Sequence, residues 1–207
     1  KGATVLMDRA VMIQDMNMEN IDRVRKIEVL ANTGQLFTSQ MDQDGKLVWE
    51  FDYSTEQYMQ HHDIHVLPNG NIMMLAVEKK TYEQAIAAGF APSKLEAEVK
   101  RDGMILPDSV IEVKPTYPSG GQVVWEWHVW DHLVQDVDKT KANYGNVAAH
   151  PELIQADDEG RGVPTFWNHM NSIDYNPAFD QIMLSVRGNS EIWIIDHSTT
   201  TQQAAGR

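Results

Sequence analysis

The 207-residue chain contains no cysteine. That excludes disulfides and thiolate metal sites and leaves the compartment open. Basic residues are scarce: 17 Lys and Arg stand against 30 Asp and Glu, a net charge of −13. No face basic enough for sequence-independent binding of nucleic acid is expected. An anion would have to be held by a local cluster of Arg, Lys and His working against the overall field. No apolar run of about 18 residues occurs, so no membrane span is expected. The opening, "KGATVLMDRAVMIQDMN", lacks the continuous apolar stretch of a signal peptide and begins at Lys1 rather than Met, which fits a processed or trimmed chain. What is present is ordinary for a soluble globular protein, 42 % apolar and 23 % charged residues. The length suits one domain or a large piece of one.

In "MENIDRVRKIEVLAN", Ile21, Val24, Ile27 and Leu30 recur about one helical turn apart. This spacing predicts a helix ending at Asn32-Thr33-Gly34, so residues 1–35 read as a helical or irregular segment. From Leu36 the texture is β. "LFTSQMDQDGKLVWEFDY" reads as strand, Asp-Gly turn and strand, with Leu47, Trp49 and Phe51 alternating. "HHDIHVLPNGNIMMLAVE" reads as strand, turn at Pro68-Asn69-Gly70, and strand. Residues 79–108 interrupt with an Ala- and Glu-rich insertion, helical in two pieces broken near Gly89 and Pro92. "SVIEVKPTYPSGGQVVWEWHVW" returns to strands, and 131–166 form a second, irregular insertion. Three short strands close the chain within 167–198.

These strands repeat. "GKLVWEF" is similar to "GQVVWEW", "HDIHVLPNGNIMMLAV" to "NSIDYNPAFDQIMLSV", and "DSVIEVKP" to "NSEIWIIDH". Four-stranded antiparallel units repeated along a chain mark a β-propeller. The expected fold is therefore all-β, a partial propeller of about two and a half blades in 36–207: the end of one blade in 36–53, a full blade in 62–128, and the start of the next in 167–198. Closed propellers need roughly four to eight blades, so a fragment, or a partner chain that completes the ring, is expected.

Propeller strands usually run outward from the channel, which places His62 and His169 from adjacent blades at one funnel, with Arg187 at a nearby strand end. Arginine there offers planar donors to sulfate, phosphate or carboxylate. Each residue also has a plainer reading. His61, His62 and His65 serve equally as turn caps, and Arg187 as a solvated strand end. A metal site at His62, Asp63 and His65 is disfavoured, because residues three apart in a strand point to opposite faces. Trp125, Trp127 and Trp130, flanked by His128 and His132, fit a packing face. Phe166 and Trp167 suit an aromatic pocket wall, and Asn168 and Asn171 suit orienting His169 or binding a substrate oxygen.

The segments "HHDIHVLPNGNIMML", "GGQVVWEWHVWDHLVQD", "ANYGNVAAHPELI" and "WNHMNSIDYNPAFDQIMLSVRGNSEIWIIDHSTT" together resemble the arylsulfotransferase (aryl-sulfate sulfotransferase) family, from about 36 to 207. Residues 1–35 do not show that pattern. The resemblance implies a ring of about six blades, exported to the periplasm or cell surface and needing no cofactor or metal. It implies transfer of a sulfuryl group from an aryl sulfate to a phenol through a sulfated histidine. Carried over by motif, His62, His169 and Arg187 are catalytic, and His61, His65, Trp167, Asn168 and Asn171 bind substrate. The histidine that becomes sulfated resembles a "Q-H-D-A" motif in a later blade. No such segment occurs in these 207 residues; His62, in its own His-Asp pair, is a candidate substitute, and the position of the sulfated histidine stays open. The alternative reading is a non-catalytic propeller segment that binds a partner or a small anion.

Overall fold

The computed structural model describes residues 26–32, 35–41, 46–156 and 162–206. Its elements run β1 (Lys26–Asn32), β2 (Gln35–Met41), β3 (Leu47–Asp52), β4 (Tyr58–Val66) and β5 (Ile72–Glu78). The first insertion then carries β6 (Lys80–Thr81), α1 (Tyr82–Ala88), α2 (Ala97–Asp102) and β7 (Met104–Ile105). After β8 (Asp108–Pro115) and β9 (Gly121–His128), the second insertion holds a short parallel pair, β10 (Leu133–Val134) and β11 (Ile154–Gln155). β12 (Met170–Asn176), β13 (Gln181–Val186), β14 (Glu191–Asp196) and α3 (Thr201–Ala204) follow. Three larger antiparallel sheets result, ordered β1-β2-β3, β4-β5-β8-β9 and β12-β13-β14, with β6 and β7 forming a two-stranded antiparallel pair in the first insertion.

The helix expected up to Asn32 is not formed over Lys26–Asn32. That stretch is β1, paired with β2 from Lys26↔Met41 to Asn32↔Gln35. Ile27, Val29 and Ala31 alternate as regularly as Ile27 and Leu30 recur helically. β-branched Ile27 and Val29 favour the strand, and a hairpin partner lies next in the chain. The rest of the expected helix falls outside the described residues. The first sheet thus has three strands and starts before residue 36. The two helical pieces of the first insertion end at Gly89 and Gly103, both left-handed C-caps.

Every residue of β5 is buried. Ile72 and Met74 join Trp49 of β3 and Ile111 and Val113 of β8. Met73 and Leu75 join Val110, Trp125 and Trp127, together with Ile173, Ile182 and Leu184 of the third sheet. The middle sheet is therefore packed on both faces, which is why "IMMLAV" reads as an unbroken apolar run rather than an alternation. Each such side chain contributes about 1.5–3 kcal/mol by burial.

The third sheet differs. Ile182, Leu184 and Val186 face inward, while Met183, Ile192 and Ile194 are exposed. Direct superposition of the sequence segments sets Met183 over Met74. Strand pairing corrects this by one residue: Ile64 lies opposite Met74, and its counterpart Ile173 lies opposite Leu184. Leu184 is thus the equivalent of Met74, and the exposed Met183 is the equivalent of the buried Met73.

Candidate active site

β4 does not run straight. A bulge lies between Gln60 and Ile64, and His61, His62 and Asp63 occupy it. His62 takes a left-handed backbone, φ 52, and so does His169 just ahead of β12, φ 51. This costs a non-glycine residue on the order of 1 kcal/mol, and histidine tolerates it better than most. The bends turn the two rings toward each other. Their Nε2 atoms are 3.3 Å apart, with ring planes at 71°.

Two buried carboxylates dock the third sheet so that this meeting occurs. Asp63 accepts from the backbone N–H of Ile64 and from that of Ile173 in β12 at 3.0 Å. Asp108, fully buried, accepts from the backbone N–H of Met170 at 3.1 Å. Behind His62 lies His61, buried, with the two Nδ1 atoms 2.9 Å apart. Its Nε2 is 2.9 Å from Asp108 Oδ1, although the N–H is not well aligned on that oxygen.

Arg187 follows β13 and brings a guanidinium nitrogen 3.2 Å from His169 Nδ1. Gly188 makes this possible. Its N–H donates to the Asn168 carbonyl at 2.6 Å, and a Cβ there would collide with the backbone oxygens of Trp167 and Asn168. Asn168 is buried, and its amide donates to Asn189 Oδ1 at 3.2 Å. It fastens the loop that carries Arg187 rather than touching the His169 ring.

Burial lowers the pKa of His62, and neighbouring His61, His169 and Arg187 lower it further. Burial and the Arg187 charge do the same for His169. Both rings are therefore held neutral near pH 7, with lone pairs available. A cavity of about 280 Å³ opens beside His169, walled by it and by Arg187, Phe166, Trp167, Pro164 and Glu96. Trp167 is buried and edge-on to Phe90, and the Phe166 ring lies 6.0 Å from His169. A fixed cation, neutral imidazoles and an aromatic wall suit a small anionic aromatic ligand.

His65 is not brought into this group. Its Nδ1 sits 3.3 Å from Asp174 Oδ1 of β12. Asn171 is exposed in β12. Among the described residues no group of three or more His, Asp or Glu side chains is arranged to hold a metal ion. Trp125 and Trp127 are core residues, and Trp130 stacks on Phe90. Sequence reasoning missed Asp108, Gly188 and Asn189. The only signal for Asp108 was a carboxylate directly preceding an apolar strand.

The sequence matches the family model described as Arylsulfotransferase (ASST) over residues 12–203. The chain belongs to the arylsulfotransferase family. The match extends upstream of residue 36, beyond the segments that carry the resemblance. No curated protein and no solved structure gives a significant match. No helix among the described residues is long and apolar enough to cross a membrane.

Proposed function

We propose that the chain forms consecutive blades of an arylsulfotransferase propeller and that His62, His169 and Arg187 carry sulfuryl transfer from an aryl sulfate to a phenol. The observation that carries this is a guanidinium against the neutral His169 ring, itself against the neutral His62 ring, beside an aromatic-walled cavity. The exposed apolar face formed by Met183, Ile192 and Ile194 supports the ring. Its equivalent in the middle sheet is covered by the third sheet, so a further sheet, from the same chain or another, is what it fits. Exported location follows from the family resemblance.

In the donor half, an imidazole attacks sulfur, the S–O bond of the ester breaks and an S–N bond forms. The attacking ring becomes cationic as the S–N bond forms, and its remaining N–H proton passes to the leaving phenolate, directly or through the neighbouring ring. In the acceptor half, a phenol returns a proton to the same group, its oxygen attacks sulfur and the S–N bond breaks. Arg187 neutralises the sulfuryl oxygens in both directions. Trp167 and Phe166 shape the wall against the aryl ring, Asn168 fastens the loop that carries Arg187, and His61 supports His62 from behind.

The test is release of nitrophenol from 4-nitrophenyl sulfate in the presence of a phenol acceptor. Arg187→Ala should reduce turnover by roughly 10²–10³, the loss typical of one charge-stabilising donor. His169→Asn should also lose turnover, and mass spectrometry of histidine peptides should find a sulfuryl adduct. No release by the intact protein, with both variants binding aryl sulfate as before, would overturn the catalytic reading.

A further inference from the structure

We propose that Glu96 is a specificity residue of the cavity beside His169. It favours aryl sulfates and phenols with a short ammonium-bearing substituent over neutral ones, and neutral ones over carboxylated ones. Among the described residues that line this cavity, Arg187 and Glu96 carry the charges, and these are of opposite sign. They stand against opposite ends of one wall. That wall is a single stretch, residues 162–169, with Pro164, Phe166 and Trp167 in the lining. At its far end a guanidinium nitrogen of Arg187 lies 3.2 Å from His169 Nδ1. At its near end the Glu96 side chain lies against Gly162, where a Cβ would come 2.6 Å from Glu96 Oε1. The aromatic surface runs between guanidinium and carboxylate.

The backbone holds Glu96 in this place. Its N–H donates to the Val163 carbonyl at 3.0 Å, and the Val163 N–H donates to the Lys94 carbonyl at 2.8 Å. Two acids begin α2, and they are used differently. Glu98 accepts from the backbone N–H of Thr165 at 2.8 Å and so ties the helix to the wall. Glu96 occupies the N-cap position, yet its side chain makes no capping hydrogen bond. Among the described residues nothing pairs with its carboxylate. The carboxylate is therefore left for whatever occupies the cavity.

This inference rests on the aryl-sulfate reading of the cavity and narrows it. A volume of about 280 Å³ lies at the small end of ligand cavities, roughly 300–1,000 Å³. It suits one aromatic ring with a short substituent. The sulfate of such a ligand brings one negative charge, which Arg187 neutralises. A second negative charge at the other end of the ring would meet Glu96 and be repelled, whereas an ammonium there would pair with it. Specificity then comes from attraction and repulsion at the same carboxylate. Glu96 is exposed, so water and salt screen it, and each change of substituent charge should alter affinity by roughly two- to fivefold.

The test is titration calorimetry of the full chain with three sulfate esters of equal reach: those of 4-(2-aminoethyl)phenol, 4-ethylphenol and 3-(4-hydroxyphenyl)propionate. The unmodified protein should bind them in that order, roughly two- to fivefold apart at low salt, with the spread narrowing as salt rises. Glu96→Gln keeps the size of the side chain and removes no cap, and it should bring the ammonium and ethyl esters level. Glu96→Lys should put the carboxylated ester first. An unchanged spread in Glu96→Gln, or an unchanged order in Glu96→Lys, overturns the assignment. Equal binding of all three by the unmodified protein overturns it as well, and leaves the sulfuryl-transfer reading standing if the esters are turned over. The predicted order without turnover supports Glu96 and sinks the catalytic reading alone. Failure to bind any of the three overturns both.

Discussion

Two sets of histidines sit in the same sheets and are built in opposite ways. His62 and His169 face each other, His169 meets a guanidinium, and only His61 behind them reaches a carboxylate. His197, beyond β14, is clamped between Asp180 Oδ1 at 2.6 Å and Glu112 Oε2 at 2.9 Å, with Asn71 holding the other oxygen of Glu112. His128 lies likewise between Glu126 and Glu78. Burial pushes His62, His169, His197 and His128 toward neutrality. At His197 and His128 the paired carboxylates win, and the pKa ends above the ordinary value. At His62 and His169 nothing opposes burial strongly enough, and it ends below. A doubly clamped histidine holds its proton more firmly, and an unclamped one keeps a lone pair. Asp180 belongs to the third sheet and Glu112 to the middle one, so His197 is a cross-sheet tie.

The sharpest way to break this contrast is to remove one member of each set. His197→Ala leaves two carboxylates facing each other without their cation. Hydrogen bonds to charged groups are worth about 1.5–3 kcal/mol each, and Asp180 is partly exposed, so a loss of about 3 kcal/mol in denaturant unfolding is expected, with turnover at 25 °C unchanged. His169→Gln should do the reverse, abolishing turnover while moving stability by less than about 1 kcal/mol. Loss of stability in both would mean the two clusters do the same job.

Gly188→Ala comes next. The added methyl meets the Trp167 and Asn168 carbonyls, and overpacking of this kind costs about 1–3 kcal/mol. Because the strain falls on the loop that aims Arg187, turnover should drop more than stability does. An alanine variant with full activity would show that the guanidinium need not be held against His169.

Much of this was legible in the sequence. The hairpins announced themselves through Pro-Asn-Gly and alternating apolar residues, and the His-Asp pair, His169 and Arg187 stood out by position in the repeat. What stayed hidden depended on the third dimension. Gly188 looks like any turn glycine until two carbonyls are seen against it. Asp108 looks like a strand-start residue until β12 docks on it. The one-residue slip between Met74 and Leu184 arose because the β12–β13 hairpin differs in length from β4–β5, and only hydrogen-bond register counts such a difference. Residues 26–32 carry both periods at once, so a pairing partner had to choose.

The pH dependence should split the same way. His197 and His128 have raised pKa values in the folded state, so their stabilisation is full below about pH 6.5 and is lost as pH rises through the folded values. His62 and His169 have lowered ones. Below about pH 6.5 the unfolded chain binds protons they refuse, so stability falls as pH drops toward their folded values. Stability should therefore peak near pH 6.5. His197→Gln should flatten the alkaline side alone and His169→Gln the acid side alone. A variant that flattens the wrong side contradicts the assignment of charge states.

The smallest change tests what the clamp consists of. The Tyr175 hydroxyl donates to Asp180 Oδ1 at 2.8 Å, the oxygen that also meets His197. Burial and this hydrogen-bonded carboxylate push the phenol up to about 12, so it stays a donor throughout the range considered. Its ring lies edge-on to His197, 5.7 Å between centroids. Tyr175→Phe keeps the ring contact and removes one donor from a carboxylate that retains its cation. The expected loss is about 0.5–1.5 kcal/mol, one ordinary hydrogen bond, with turnover and the alkaline limb unchanged. A loss as large as that of His197→Ala would place the tie in the hydroxyl rather than the imidazolium, and the two histidine sets would no longer differ by the charge they carry.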